Sequence, residues 1–385
     1  MNKSQKHILA LLGGTELLGK ERGNLRALAA LASTGVNVTV GVSNREPGGG
    51  AVGDEARRLG FDTVEFPIGS HFARRWMIKD KQYRKKQLKR LISNSRQLLA
   101  LLRSMKPTHI QIGAHDTFLF FALALLVNRT PVIHRCGDAP PVESKFQIFI
   151  WKWMARRSRT IVAVSHYIGH NIAEVMPSAG RKVRVIHNVA PPRNTPLDEG
   201  LLQSLHQSKR PTQIVYVGQI AKKKGVFELT RALLDLDDDG LGCWIVGGSP
   251  HSKKEEQRLH RMVSESNSKT KVDHIGFTTD PRPYFHAADW HTAPSVYEEP
   301  NANVVLEALA AETPSIVTPR GGMPENITHG VNGFVLEGVC HTDIQDRLAQ
   351  LLDTDAAAFK ENMAANPTGV NDVGAYLNAW KSVVQ

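Results

Sequence analysis

PSVYEEPNANVVLEALAAETPSIVTPRGGMPENI, residues 294–327, is the stretch that decides the fold. A short apolar run, Trp290–Ala293, precedes it, and a second, Ser315–Thr318, lies inside it. Between them Pro300 keeps the chain in a loop, and NVVLEALAA has the spacing of a helix. Strand, loop, helix and strand in this order make a parallel unit, whose strands are apolar throughout because both faces are covered. Glu299 falls in the loop and Glu307, eight residues on, in the helix. Asn301 and Asn303 suit the N-cap region, whose N–H groups would point at an anion. A carboxylate a turn or more into the helix can accept both hydroxyls of a ribose. Gly321-Gly322, Pro324 and Glu325 then follow a strand end. A lone pair of glutamates is ordinarily surface charge, but the combination in one short stretch is hard to assign to chance.

The same rhythm runs outward in both directions. In the first half the strand candidates are His7–Leu12, Val36–Val42, Thr63–Phe66, His109–Gly113, Pro131–Arg135, Thr160–Val164 and Val183–Ile186. NVAPPRNTPL, residues 188–197, interrupts the series and reads as a linker. The second series is Gln213–Val217, Cys243–Val246, Val272–Ile275, Trp290–Ala293, Ser315–Thr318 and Gly333–Leu336. The expectation is an α/β protein of two doubly wound, Rossmann-like domains, residues 1–190 and 191–365, with residues 366–385 a helix returning to the first. A shared ligand is expected in a central crevice at the carboxyl ends of the strands.

Composition agrees with a two-domain globular chain: 385 residues, 41% hydrophobic and 22% charged. Three scattered cysteines without a CxxC pair or zinc spacing predict a reduced, cytoplasmic protein. The N-terminus lacks a cleavage pattern, and the longest apolar run, Phe118–Val127, cannot span a bilayer. The net charge of +11 favours an anionic partner. Nine basic residues against Asp80 lie between His71 and Arg90, including Arg74, Arg75, Lys85 and Lys86. They could meet an anionic membrane or a lipid-linked diphosphate, or simply be a solvated helix face.

Three further motifs sit at strand ends. GGTELLGKERGN, residues 13–24, nearly matches a P-loop, but Glu21 stands where Ser or Thr must reach magnesium. What remains is a glycine loop, with Gly14 and Gly19, whose amides could bind an anion at a helix start. IQIGAHDT puts His115 and Asp116 past a strand, where a histidine can exchange a proton or bond a sugar hydroxyl. His134 and Arg135 end the next strand at the same edge, ahead of Gly137-Asp138. VGQIAKKKG, residues 217–225, offers Lys224 beside a helix start as a diphosphate clamp.

Together these segments resemble the retaining glycosyltransferases of family 4, with the two-domain GT-B fold. Gly19-Lys20-Glu21-Arg22, Ala114-His115-Asp116, VAVSHYI (162–168), VRVIHNV (183–189), VGQIAKKKG, Glu299-x7-Glu307 and Gly321-Gly322-x-Pro-Glu325 carry the resemblance over most of the chain. It implies that Lys224, with the amides of Asn303, Val304 and Val305, binds the donor diphosphate. Glu307 would hold the ribose, Glu299 the donor sugar near its reacting carbon, and His115 would sit over the anomeric centre. Gly14 and Gly19 would help bind the donor, and Ile275 to Thr278, with Phe277, would edge the base. His134, Arg135 and the basic stretch would face the acceptor or membrane. Gln219 stands where the family usually has arginine, Glu312 where it usually has glycine, and Val189 where glycine is frequent.

The implied activity is transfer of a hexose or N-acetylhexosamine, with retention, from a UDP-sugar to a glycan, lipid-linked or cell-envelope polysaccharide acceptor. No cofactor or metal is expected, since Lys224 and fixed N–H donors would meet the leaving diphosphate. The protein would be cytoplasmic, free or peripheral on the inner face of the membrane. Against a nucleic-acid partner, the basic stretch has only Phe72, Trp76 and Tyr83 for stacking. The competing readings are a same-fold sugar-nucleotide epimerase, a P-loop-type nucleotidase opposed by Glu21, and a non-catalytic polyanion binder.

Overall fold

A computed structural model describes residues 6–68, 81–190, 196–249 and 252–385. Arg74, Arg75 and the linker prolines 191 and 192 lie outside these residues.

The chain divides into two compact units, Met1–Asn188 with Val373–Gln385, and Val189–Asp372. The return to the first unit thus begins at Val373, not at 366, because residues 366–372 stay with the second: Asn332 donates to Thr368 Oγ1 and Asn371 to Leu306 O, each at 3.1 Å.

The first unit holds β1 His7–Leu11, β2 Asn37–Ser43, β3 Asp62–Phe66, β4 His109–Ile112, β5 Val132–Cys136, β6 Thr160–Ala163 and β7 Val183–Val185. All pair in parallel in the order β3-β2-β1-β4-β5-β6-β7. The second holds β8 Thr212–Val217, β9 Leu241–Val246, β10 Lys271–Gly276, β11 Trp290–Ala293, β12 Ser315–Val317 and β13 Gly333–Val335, ordered β10-β9-β8-β11-β12-β13. Each strand lies on an expected run, with ends moved by at most two residues. Continuous burial makes the central strands readable: all six residues of β9 are buried.

Both sheets reverse winding direction once, between β1 and β4 and between β8 and β11. Loops leaving those strands diverge there and leave room for a ligand. The motifs flank these two points: residues 13–24 follow β1 and His115 follows β4, while VGQIAKKKG follows β8 and residues 294–302 follow β11.

The helices that carry the argument are α1 Gly19–Ser33, α2 Lys81–Met105, α3 His115–Phe120, α4 Ala122–Val127, α5 Lys145–Arg157, α6 Val226–Leu236, α7 Asn303–Ala310 and α8 Val373–Val383. In α6 the buried Val226, Leu229 and Leu233 recur at three- and four-residue steps and join the core around Ile214, Ile245 and Trp290. Each such apolar side chain contributes roughly 1.5–3 kcal/mol. Helix α8 buries Tyr376, Trp380 and Val383, and packs beside α1. At the end of α7, Glu312 adopts φ +62, the left-handed conformation that suits glycine better. None of the described helices is long and apolar enough to cross a membrane.

Candidate functional site

In the second unit the β8 and β11 loops meet through side chains. Lys224 Nζ donates to Glu299 Oε2 at 2.7 Å, and Ser295 Oγ donates to the same oxygen at 3.3 Å. Lys224 also lies 3.4 Å from the Tyr297 hydroxyl, and its ammonium is 5.2 Å from that ring's centre. Backbone ties fix the loops: Val296 N–H donates to Lys223 O at 3.0 Å, and Thr318 Oγ1 to Ser295 O at 2.6 Å. Gly225 makes the approach possible, since its φ of +71 turns the chain and an added Cβ would sit on the Pro294 carbonyl. Gly321, at φ +61, lies against the Glu299 carbonyl, which accepts Gly322 N–H at 2.7 Å. Glu298 turns away, accepting from Arg320 at 3.0 Å and from Gly321 N–H at 2.6 Å.

Glu307 lies on α7 as expected. The cap of that helix is different. Its N-cap is Ala302, with no side chain capping it, and Asn303 is already the first helical residue. Val305 N–H donates to Ala302 O at 3.1 Å, so of the three amides expected to meet a diphosphate this one already has a partner. Tyr216 donates its hydroxyl to Gln219 O at 2.7 Å, fixing the turn at the arginine-to-glutamine position through the backbone. Burial and the Glu299 carboxylate raise the Tyr216 phenol well above its usual range, which keeps it a donor. Ile275 and Phe277 are exposed at the end of β10, Phe277 by 78%. Beneath them His274 bonds Gly247 O at 2.9 Å and His260 at 2.8 Å, a pair that sequence spacing did not suggest.

In the first unit Lys20 and Asp138 form an ion pair at 2.8 Å. Burial pulls the Lys20 ammonium down, but the charge and hydrogen bond of Asp138 outweigh it and leave it above its ordinary value. Glu21 packs against Gly14 and is pushed up by burial. His115 opens α3, with both ring nitrogens buried. Burial, then Lys20, lowers its pKa and makes it neutral near pH 7, with Asp138 and the Ala139 backbone acting in the opposite sense.

His134 and Arg135 are corrected. Both were expected at an acceptor or membrane face, yet His134 is 0% and Arg135 2% exposed. Strand β5 runs on to Cys136, so both lie inside the sheet. Arg135 donates to Asn24 at 3.0 Å and Asn188 at 2.5 Å, tying α1 to the chain after β7, and His134 stacks edge-on with His115 at 5.2 Å. Lys85 and Lys86 are exposed on α2.

The buried histidines have a consequence for pH. Burial lowers His115, His134 and His109, and takes His291 to about 3 from 6.5. Unfolded, each takes up a proton near 6.5, while folded it does so only at lower pH, so stability is full above 6.5 and falls below it. Each contributes a slope of up to about 1.4 kcal/mol per pH unit. Urea midpoints should fall between pH 7.5 and pH 5, and unchanged midpoints would refute the neutral assignment.

The model for Glycosyltransferase Family 4 matches residues 19–192, and that for Glycosyl transferases group 1 matches residues 201–367. The chain belongs to the family 4 glycosyltransferases. It is 28% identical over 242 residues to an uncharacterized glycosyltransferase of Methanocaldococcus jannaschii, covering 58% of this chain and 61% of that one. Over 163 residues it is 32% identical to a GDP-mannose-dependent alpha-(1-6)-phosphatidylinositol monomannoside mannosyltransferase of Mycobacterium tuberculosis, covering 39% and 40%. The chain spans about half the length of the curated relatives it matches. In structure it is similar to Anabaena HepE, solved with UDP and glucose, at a TM-score of 0.77, 17% identity and 98% coverage of both chains. The fold is GT-B, two Rossmann-like domains.

Proposed function

We propose that this protein transfers a hexose or N-acetylhexosamine, with retention, from a UDP-sugar to a glycan or lipid-linked acceptor of the cell envelope. The observation that carries this reading is the Lys224–Glu299 pair at the β8/β11 switch point, 2.7 Å apart and only 23% and 12% exposed. With donor bound, Lys224 would turn to the diphosphate and Glu299 to the sugar, while Glu307 takes the ribose. As the glycosidic bond breaks, negative charge grows on the leaving diphosphate, and Lys224 with the Asn303 and Val304 amides stabilises it without a metal. Neutral His115 would bond a donor hydroxyl, and the acceptor hydroxyl would attack from the leaving-group face. UDP in HepE supports uridine, and the mannosyltransferase, with its GDP-mannose and lipid substrate, supports a lipid acceptor. Work at the cytoplasmic face of a membrane belongs to the same reading.

Thermal stabilisation by UDP, GDP and ADP, in the presence of EDTA, tests the donor site. UDP should raise Tm, and Glu307→Ala should abolish the rise. No shift with any nucleotide would move a non-catalytic binder to the front, and an inverted product would end the retaining assignment.

A further inference from the structure

Beside His115, wholly within the first unit, lies a cavity of about 210 Å³. Its wall comes from α2, α3, α4 and α5, through Leu91, Leu119, Ala122, Phe146, Ile150 and Trp151 among others. The lining is almost wholly apolar, and the polar atoms of Gln147 are engaged with Ser144 and Glu143. Two wall residues bring buried polar atoms: the indole Nε1 of Trp151, which has no hydrogen-bond partner, and the ring nitrogens of His115, which face the Ala139 backbone. Apolar side chains continue outward, with Phe146 50%, Phe149 63%, Val142 56% and Leu88 46% exposed. On α2, Arg84 and Leu88 share the face of Leu91 at helical spacing, and Arg84, Lys85, Lys86 and Lys89 are exposed. An open-mouthed apolar cavity with a polar end and a cationic approach matches an amphiphile with an anionic group.

We infer that this cavity binds the hydrocarbon part of the acceptor, an alkyl or isoprenoid chain, with its polar end at His115. The word acceptor rests on the function proposed above, whereas hydrocarbon binding is separately measurable. Burial of a chain in a dry cavity gains affinity with each methylene, which a cationic surface alone does not provide.

The test is calorimetric titration with n-decyl phosphate below its micelle concentration, against inorganic phosphate. Wild type should bind decyl phosphate saturably at one site, at least about 100-fold tighter than phosphate. Ala122→Trp, which fills the cavity, and Phe146→Ser, at its exposed mouth, should each weaken it at least about tenfold. Neither variant should alter the UDP thermal shift, which also certifies the fold. Equal affinity for the two phosphates, or undiminished decyl phosphate binding in both variants, overturns the inference. Loss of the UDP shift in wild type with decyl phosphate binding intact would instead sink the glycosyltransferase reading and leave the hydrocarbon site standing.

Discussion

Lys224→Ala is expected to lower kcat/KM for the sugar donor by about 10³-fold, the scale of losing one charged stabiliser of a developing anion. Lys224 is the cation that closes on the diphosphate in the proposed mechanism; Lys223, on the same loop and 5.4 Å from the Tyr297 ring, is not the partner of Glu299. The substitution also leaves Glu299 half-desolvated without its partner, so a stability loss of roughly 1–3 kcal/mol should accompany it. The two effects separate in a double-mutant cycle. Glu299→Gln in the Lys224→Ala background should restore much of the stability, because the uncompensated charge is gone, and none of the activity. Lys224→Arg keeps the charge but not the compact ammonium geometry, and should retain part of the donor binding. Activity of Lys224→Ala within threefold of wild type would remove the residue from the mechanism.

The fold was legible because its signal is local. The central parallel strands are covered on both faces, so β1, β5, β8 and β9 are written as short apolar runs that need no partner to be recognised. The placement of motifs at strand ends was legible for the same reason, since a polar or glycine-rich turn after an apolar run marks the edge of a sheet. What failed was anything decided by a single residue of register. One extra residue on β5 moved His134 and Arg135 from the edge into the sheet, where Arg135 became a tie between Asn24 and Asn188. At α7 the two asparagines looked like caps, but the backbone turns at Ala302 between them. Contacts between distant segments were equally hidden. The Lys224–Glu299 bond joins loops 75 residues apart, and the Lys20–Asp138 pair joins segments 118 apart. The cavity beside His115 takes walls from four helices, so no window of sequence contains it. Its one visible trace is the aromatic spacing of FQIFIWKWM on α5, which also fits an ordinary core helix.

Gly225→Ala is the second large effect, and it tests the backbone rather than the charge. Gly225 has φ +71 and caps the N-terminus of α6, immediately after Lys224. Alanine there meets two penalties at once: the left-handed conformation, about 1–2 kcal/mol, and a clash with the Pro294 carbonyl that forces one loop away from the other, about 1–3 kcal/mol. For a unit of this size the sum lowers Tm by roughly 5–15 °C. The displaced loop is the one whose Lys223 carbonyl holds Val296 and whose Lys224 meets Glu299, so the UDP-induced rise in Tm should disappear as well. Gly180→Ala is the matched control, because an added Cβ there meets nothing within 4 Å. The comparison separates two accounts of the donor site. If Gly225→Ala loses the UDP shift and Gly180→Ala keeps it, the site depends on the close backbone approach of the β8 and β11 loops. If Gly225→Ala folds with a normal UDP shift, the nucleotide does not need the two loops held in register, and the Lys224–Glu299 pair is a surface tie with no part in donor binding.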